Sequence, residues 1–244
     1  MSGTKVVKLR LEDGGGEKLP MLKGDVVERA LELYDAIESH HTVTAEAEDY
    51  ANILKQSKGF DLSSGQLQLV LDRIADGPAG IIKNNLGLFL TALIQGSKHS
   101  DFKIKTKIPL RNFGFKLKDK RITVEGNLED WTGNQMESGR IMVNGNVGSD
   151  TGHKMRGGEI IIDGNAAYRT GFRMKGGKTH VKGSVLGALG AYMEDGLVEV
   201  DGNGGENVGL AMNGGIIKVK GDITSFGDFY TGGEIWEKGV KKKG

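Results

Sequence analysis

Lys154 and Arg173 show the same 19-residue spacing as Arg156 and Lys175. If the chain stacks with that period, each pair places like charges about 5 Å from one another, which is repulsive unless something offsets it. Solvent, an acidic neighbour or an anionic partner would do so. The four cations therefore read either as a solvated or protein-docking face, or as a site for an anionic substrate or cofactor. His153 and Arg169 lie close by in sequence. Other titratable groups suggest less chemistry. His40 and His41 are adjacent, so they do not share a helix face, and they suit the negative end of a helix dipole. The acidic pairs Glu129-Asp130 and Glu194-Asp195 sit at turns with no convergent histidine or further carboxylate to make an acid/base site. No Gly-x-Ser-x-Gly elbow occurs. Catalytic residues are thus unassigned, and whether the chain is itself an enzyme stays open.

The spacing is the stronger signal. Gly126, Gly145, Gly164, Gly183, Gly202 and Gly221 recur with the same 19-residue period. With each as position zero, glycine returns at +7 (Gly133 to Gly209) and +13 (Gly139 to Gly215), methionine at +10 (Met136, Met155, Met174, Met193, Met212) and asparagine at +1 (Asn127, Asn146, Asn165, Asn203). Positions +15 and +17 are β-branched in almost every unit, from Ile122 and Val124 to Ile217 and Val219, with polar residues outside them. That alternation is a strand with one buried face. A single unit cannot bury its own apolar face, so units must stack strand on strand. The expected fold is mainly β: a right-handed parallel β-helix, a single-stranded solenoid of 19-residue coils. The glycines mark corners that need positive φ or close backbone approach. The Gly-Asn pairs read as turn chemistry with an amide ladder, and the methionines as interior packing rather than a soft metal site. A degenerate coil carrying Gly114 and Leu117 precedes the set, and the coil from Gly221 is one residue short.

The N-terminal half follows a different period. Residues 1–20 read as an arm, and 21–100 as an α-helical domain ahead of a solenoid over 101–240, whose clear repeats begin near 107. Val27, Ala30, Leu31, Tyr34 and Ile37 have helix spacing, Thr44 to Lys55 reads as a second helix, and Ser63 with Gln66 makes a capping box. Gly77-Pro78 breaks the chain, and the apolar run Ile81–Ile94 reads as a buried core helix. Such a domain would cover the open sheet edge at one end of the solenoid. Lys241, Lys242 and Lys243 read as a solvated basic tail over 241–244.

The chain has no cysteine, which excludes disulfides, thiol nucleophiles and self-ligated iron–sulfur clusters, and a cytoplasmic location is expected. No metal site is expected. A net charge of +1 implies no pull toward nucleic acid, and no run of about 18 apolar residues implies no membrane span.

The units Gly-x-x-Met-x-x-Gly-x-Ile-x-Val-x-Gly-Asn (Gly133 to Asn146) and Gly-x-x-Met-Lys-Gly-Gly (Gly171 to Gly177) resemble the GXGXG domain over about residues 107–239. That domain makes up one whole polypeptide of formylmethanofuran dehydrogenase and the C-terminal domain of the glutamate synthase large chain, and the methionine column is more similar to the former. The resemblance implies a non-catalytic scaffold or interaction subunit of a multi-subunit oxidoreductase complex. Its partners would be protein subunits that bear the chemistry (molybdenum or tungsten pterin in one case, flavin and an iron–sulfur cluster in the other), and this chain would bind no cofactor. A homo-oligomer, or an enzyme in its own right using the basic face, is the remaining alternative.

Overall fold

The computed structural model of the chain describes residues 25–38, 46–76, 86–108 and 110–244. The arm over 1–20, the His40-His41 pair and the Gly77-Pro78 break lie outside the described residues. Four helices come first among those described: α1 (Val26–Glu38), α2 (Glu46–Gln56), α3 (Ser64–Ala75) and α4 (Leu86–Gly96). The strands follow: β1 (Asp101–Lys105), β2 (Arg121–Glu125), β3 (Arg140–Asn144), β4 (Glu159–Ile162), β5 (Ala166–Tyr168), β6 (Lys175–Val181), β7 (Val185–Gly187), β8 (Asp195–Val200), β9 (Asn213–Val219), β10 (Gly232–Glu237) and β11 (Val240–Lys243).

The main sheet runs β1-β2-β3-β4-β6-β8-β9-β10-β11. Every pair in it is parallel except the last, so eight parallel rungs make a solenoid of about seven turns. From β2 to β9 the partners keep the 19-residue period, as in Ile122↔Ile141 and Val198↔Ile217, except at the bulge where Lys175 faces Asp195. The spacing is 20 at the first step, Phe102↔Ile122, and 18 at the last parallel one, Ile217↔Ile235. β5 and β7 form a short second sheet on another side of the coil.

Repetition of residue types follows from contacts between successive coils. Each column methionine is fully buried. Its Cε lies beneath the +13 glycine of the next coil, where an added Cβ would stand 2.6–2.9 Å from the Met136, Met155, Met174, Met193 or Met212 methyl. Methionine and glycine therefore require each other. The +7 glycines make the same accommodation for the +15 side chain of the following coil, such as Ile160 Cδ1 under Gly133. At position zero the reason is close approach: a Cβ on Gly164, Gly183, Gly202 or Gly221 would come within 2.6–2.7 Å of the preceding glycine's carbonyl oxygen. Gly126 alone of that column has positive φ, 125°. The expected amide ladder is present. The Asn127, Asn146 and Asn165 side-chain oxygens each accept the backbone N–H one coil on, at 2.8 Å, and Ser184 and Asn203 continue the row at 3.0 and 2.9 Å.

Helices cover one end of the sheet, and a charged edge strand closes the other. α3 starts at the Ser63/Gln66 capping box, with Gln66 Oε1 accepting from Ser63 N at 3.0 Å. It lies along the free edge of β1. Gln68 accepts from Lys105 N–H (2.6 Å) and donates to Lys105 C=O (2.8 Å), which is what a neighbouring strand would do. Gln95 of α4 does the same for Lys118, at 3.0 and 3.1 Å. Thr91 Oγ1 accepts from Gly114 N at 2.8 Å. Buried Lys120 reaches back to the Ser97 and His99 carbonyls, at 2.6 and 2.7 Å. The buried residues of the helices and of the solenoid form one continuous cluster. At the other end the expected basic tail is instead an edge strand. β11 pairs antiparallel with β10, and Lys241 and Lys242 bind Glu234 and Glu237 at 3.0 and 3.3 Å. A lysine-rich last strand resists pairing with a further chain. No described helix is long and apolar enough to cross a membrane.

Candidate docking face

Each coil turns a corner through residues +5 to +9, where the backbone is left-handed at +5, +7 and +9. Only +7 is glycine. Asp150 and Arg169 (φ 60° and 63°) occupy +5, and Lys154, Arg173 and Tyr192 (φ 51°, 53° and 56°) occupy +9. Left-handed backbone costs a non-glycine residue roughly 1–2 kcal/mol. Here it is held by ladder bonds: Asp150 N to Tyr168 O (2.9 Å), Lys154 N to Phe172 O (2.9 Å) and Arg173 N to Ala191 O (3.0 Å). The alternating turn places chemically unlike side chains on the outside of one corner, coil above coil.

Those side chains form a ridge. Asp150 is 2% exposed and takes Arg169 from the next coil in a two-point contact, at 2.9 and 2.5 Å. The His153 ring lies between Trp131 (4.7 Å) and Phe172 (5.5 Å), and Phe172 meets Tyr192 edge-on at 5.4 Å. The Arg173 guanidinium sits over both Phe172 (5.4 Å) and Tyr192 (5.6 Å), and Arg169 over Phe172 (5.9 Å). His153 Nδ1 is 3.2 Å from Asn134 Oδ1. Burial, and then the charge of Lys154, push the His153 pKa down to about 4, so its ring is neutral at pH 7. It packs the ridge as an uncharged ring. Beside it Tyr168 and Leu186 are 52% and 58% exposed, and Tyr192 is 44% exposed.

The four cations singled out by spacing divide between two columns. Lys154 and Arg173 lie on the ridge at +9. Arg156 and Lys175 lie at +11, where Glu137 and Glu194 hold the same position one coil to either side. Lys175 pairs with Glu194 at 3.1 Å. The offset for stacked like charges is thus a carboxylate at one column and aromatic faces at the other. The acidic turn pairs are accounted for as well: Glu194 holds Lys175, and Asp130 Oδ1 accepts from Ser149 N at 2.7 Å. The aromatic members escaped the sequence reading because Trp131, Phe172 and Tyr192 fall at three different positions of the coil. The Asp150–Arg169 pair was accessible from it, as opposite charges one period apart. Among the described residues no group of three or more His, Asp and Glu is placed to hold a metal ion.

The model of the GXGXG motif family matches residues 111–243, more than half of the chain. The chain belongs to the GXGXG motif family. No curated protein matches it. In this GXGXG protein the family's repeat supplies the interior and the ladders, while the ridge is written in the positions that the repeat leaves free.

Proposed function

We propose that this GXGXG protein is a non-catalytic scaffold subunit of a multi-subunit oxidoreductase complex, of the formylmethanofuran dehydrogenase type. The observation that supports this reading is the ridge. Arginine, tyrosine, tryptophan and phenylalanine are the residues enriched where protein interfaces concentrate their binding energy. Here Arg169 and Arg173 are already held in place by Asp150 and by ring faces. A guanidinium held in that way loses little freedom on docking. Redox cofactors would then reside on partner chains in the cytoplasm, with this chain binding none of them. The glutamate synthase type of assembly is the second member of the same reading, and the methionine column favours the first.

Gentle affinity purification of the tagged protein from its own cells, with mass spectrometry of what accompanies it, tests the reading. Stoichiometric metal–pterin subunits are expected. Glutamate synthase chains would move the protein to the second type. Recovery of this chain alone, as a monomer or as a homo-oligomer, would overturn the scaffold role.

A further inference from the structure

At the C-terminal end of the main sheet, side chains of β6, β8, β9 and β10 and the turn after β10 line a half-open pocket of about 360 Å³. Its floor is a column of side chains on successive rungs. His180 stands opposite Glu199, Glu199 opposite Lys218, and Lys218 opposite Trp236. Asp201 and Lys220 flank that column, and Gly239 of the hairpin turn closes one side.

The charges in and around the pocket nearly all have partners. Glu199 binds Lys178 at 2.7 Å, Asp201 binds Lys220 at 2.8 Å and meets His180 at 3.1 Å, and Glu234 binds Lys241 at 3.0 Å. The carboxylates so bound are held below the usual carboxylate range, Glu199 chiefly by its bond to Lys178 and Asp201 chiefly by its bond to Lys220. Lys218 is the lining cation that no carboxylate of the described residues approaches within 4.0 Å. Trp236 donates its Nε1–H to Glu234 at 2.9 Å, so its indole offers the pocket an apolar ring and no donor. Lys218 feels the charges of Glu199 and Glu234 without a contact ion pair to either, so its ammonium can still take a ligand anion beside the flat indole wall, which selects for a single negative charge on a planar body. The volume lies within the roughly 300–1,000 Å³ of small-molecule sites and suits one or two fused rings. A second anionic group would meet Glu199 and Asp201, which disfavours dianions such as phosphate monoesters.

We propose that this pocket binds a small aromatic monocarboxylate, its ring against Trp236 and its carboxylate on Lys218. The site is independent of the docking ridge, and either assignment can fail without the other. The test is titration of the full-length protein with 1-naphthoate, followed by calorimetry and by tryptophan fluorescence. Saturable one-to-one binding with a change in tryptophan emission is expected. Lys218→Met, at an exposed position, should weaken it by about tenfold, as should replacing the probe with neutral 1-naphthalenemethanol. Lys154→Met, on the ridge, should leave the affinity unchanged. Absence of saturable binding, equal affinity in Lys218→Met, or a loss confined to Lys154→Met would each overturn the proposal.

Discussion

His153 shows how one side chain reports on its surroundings. It is buried between Trp131 and Phe172, with Lys154, Arg169 and Arg173 pushing its pKa down and Asp150 opposing them. Burial first, and those cations after it, hold its pKa down to about 4 against an ordinary 6.5. As pH falls through that interval the unfolded chain binds a proton that the native chain refuses, so stability is lost on acidification from about pH 6.5 to about pH 4. The sign is opposite to that of a histidine stabilised by an acid. His153→Phe keeps a ring in the stack and removes the titration. Wild type should lose on the order of 1–3 kcal/mol more than the variant between pH 7 and pH 4.5, read by urea unfolding at each pH. A difference that stays constant with pH would contradict the account of the ridge as an electropositive, dry stack. The methionine–glycine contact is the complementary case at the same scale. Met174 and Gly196 belong to successive coils, and the methyl of one occupies the space where the other lacks a Cβ. That exchange repeats from Met136 under Gly158 to Met212 under Gly233, and so it leaves a mark in the sequence.

At the scale of elements, what could be read in advance and what could not divide along the same line. The main-sheet strands β2, β3, β4, β6, β8 and β9 were legible because each coil meets a copy of itself, and a contact between copies becomes a column of like residues; the short strands β5 and β7 were not read as strands. α3 was legible from its own capping box. β1 was not, because its pairing with β2 falls outside the 19-residue period and it carries none of the glycine or methionine markers. The pairing of Gln68 with Lys105 and of Gln95 with Lys118 happens once each and so has no period to betray it. β11 was hidden by three consecutive lysines, which show no apolar alternation although they sit well on a sheet edge. The glutamine contacts make the helices a cap for the solenoid as well as a separate fold of chain. Replacing both glutamines with leucine should cost about 1 kcal/mol for each pair of backbone bonds lost. It should also leave the β1 edge open, so that light scattering at constant protein concentration rises with time while wild type stays flat. Unchanged stability and scattering would show that apolar packing of α4 alone closes that end.

Taken whole, the molecule is a stack whose interior is repetitive and whose outside is not. The interior columns make the rod and leave the corner positions +5, +8 and +9 free to vary. In the middle coils these have become Asp150, Arg169, Phe172, Arg173 and Tyr192. A solenoid presents such residues at rises of about 4.8 Å, coil above coil. The docking claim turns on the exposed part of the ridge, where substitution leaves the core untouched. The direct test is Arg173→Glu combined with Tyr192→Ala in the tagged protein, purified from its own cells beside wild type and compared by native mass spectrometry and thermal unfolding. The account predicts that the partner chains seen with wild type fall at least about tenfold, because two anchors and a charge are lost together, while the midpoint of unfolding stays within a few degrees. Full retention of the same partners at the same stoichiometry would show that the complex is held by another surface.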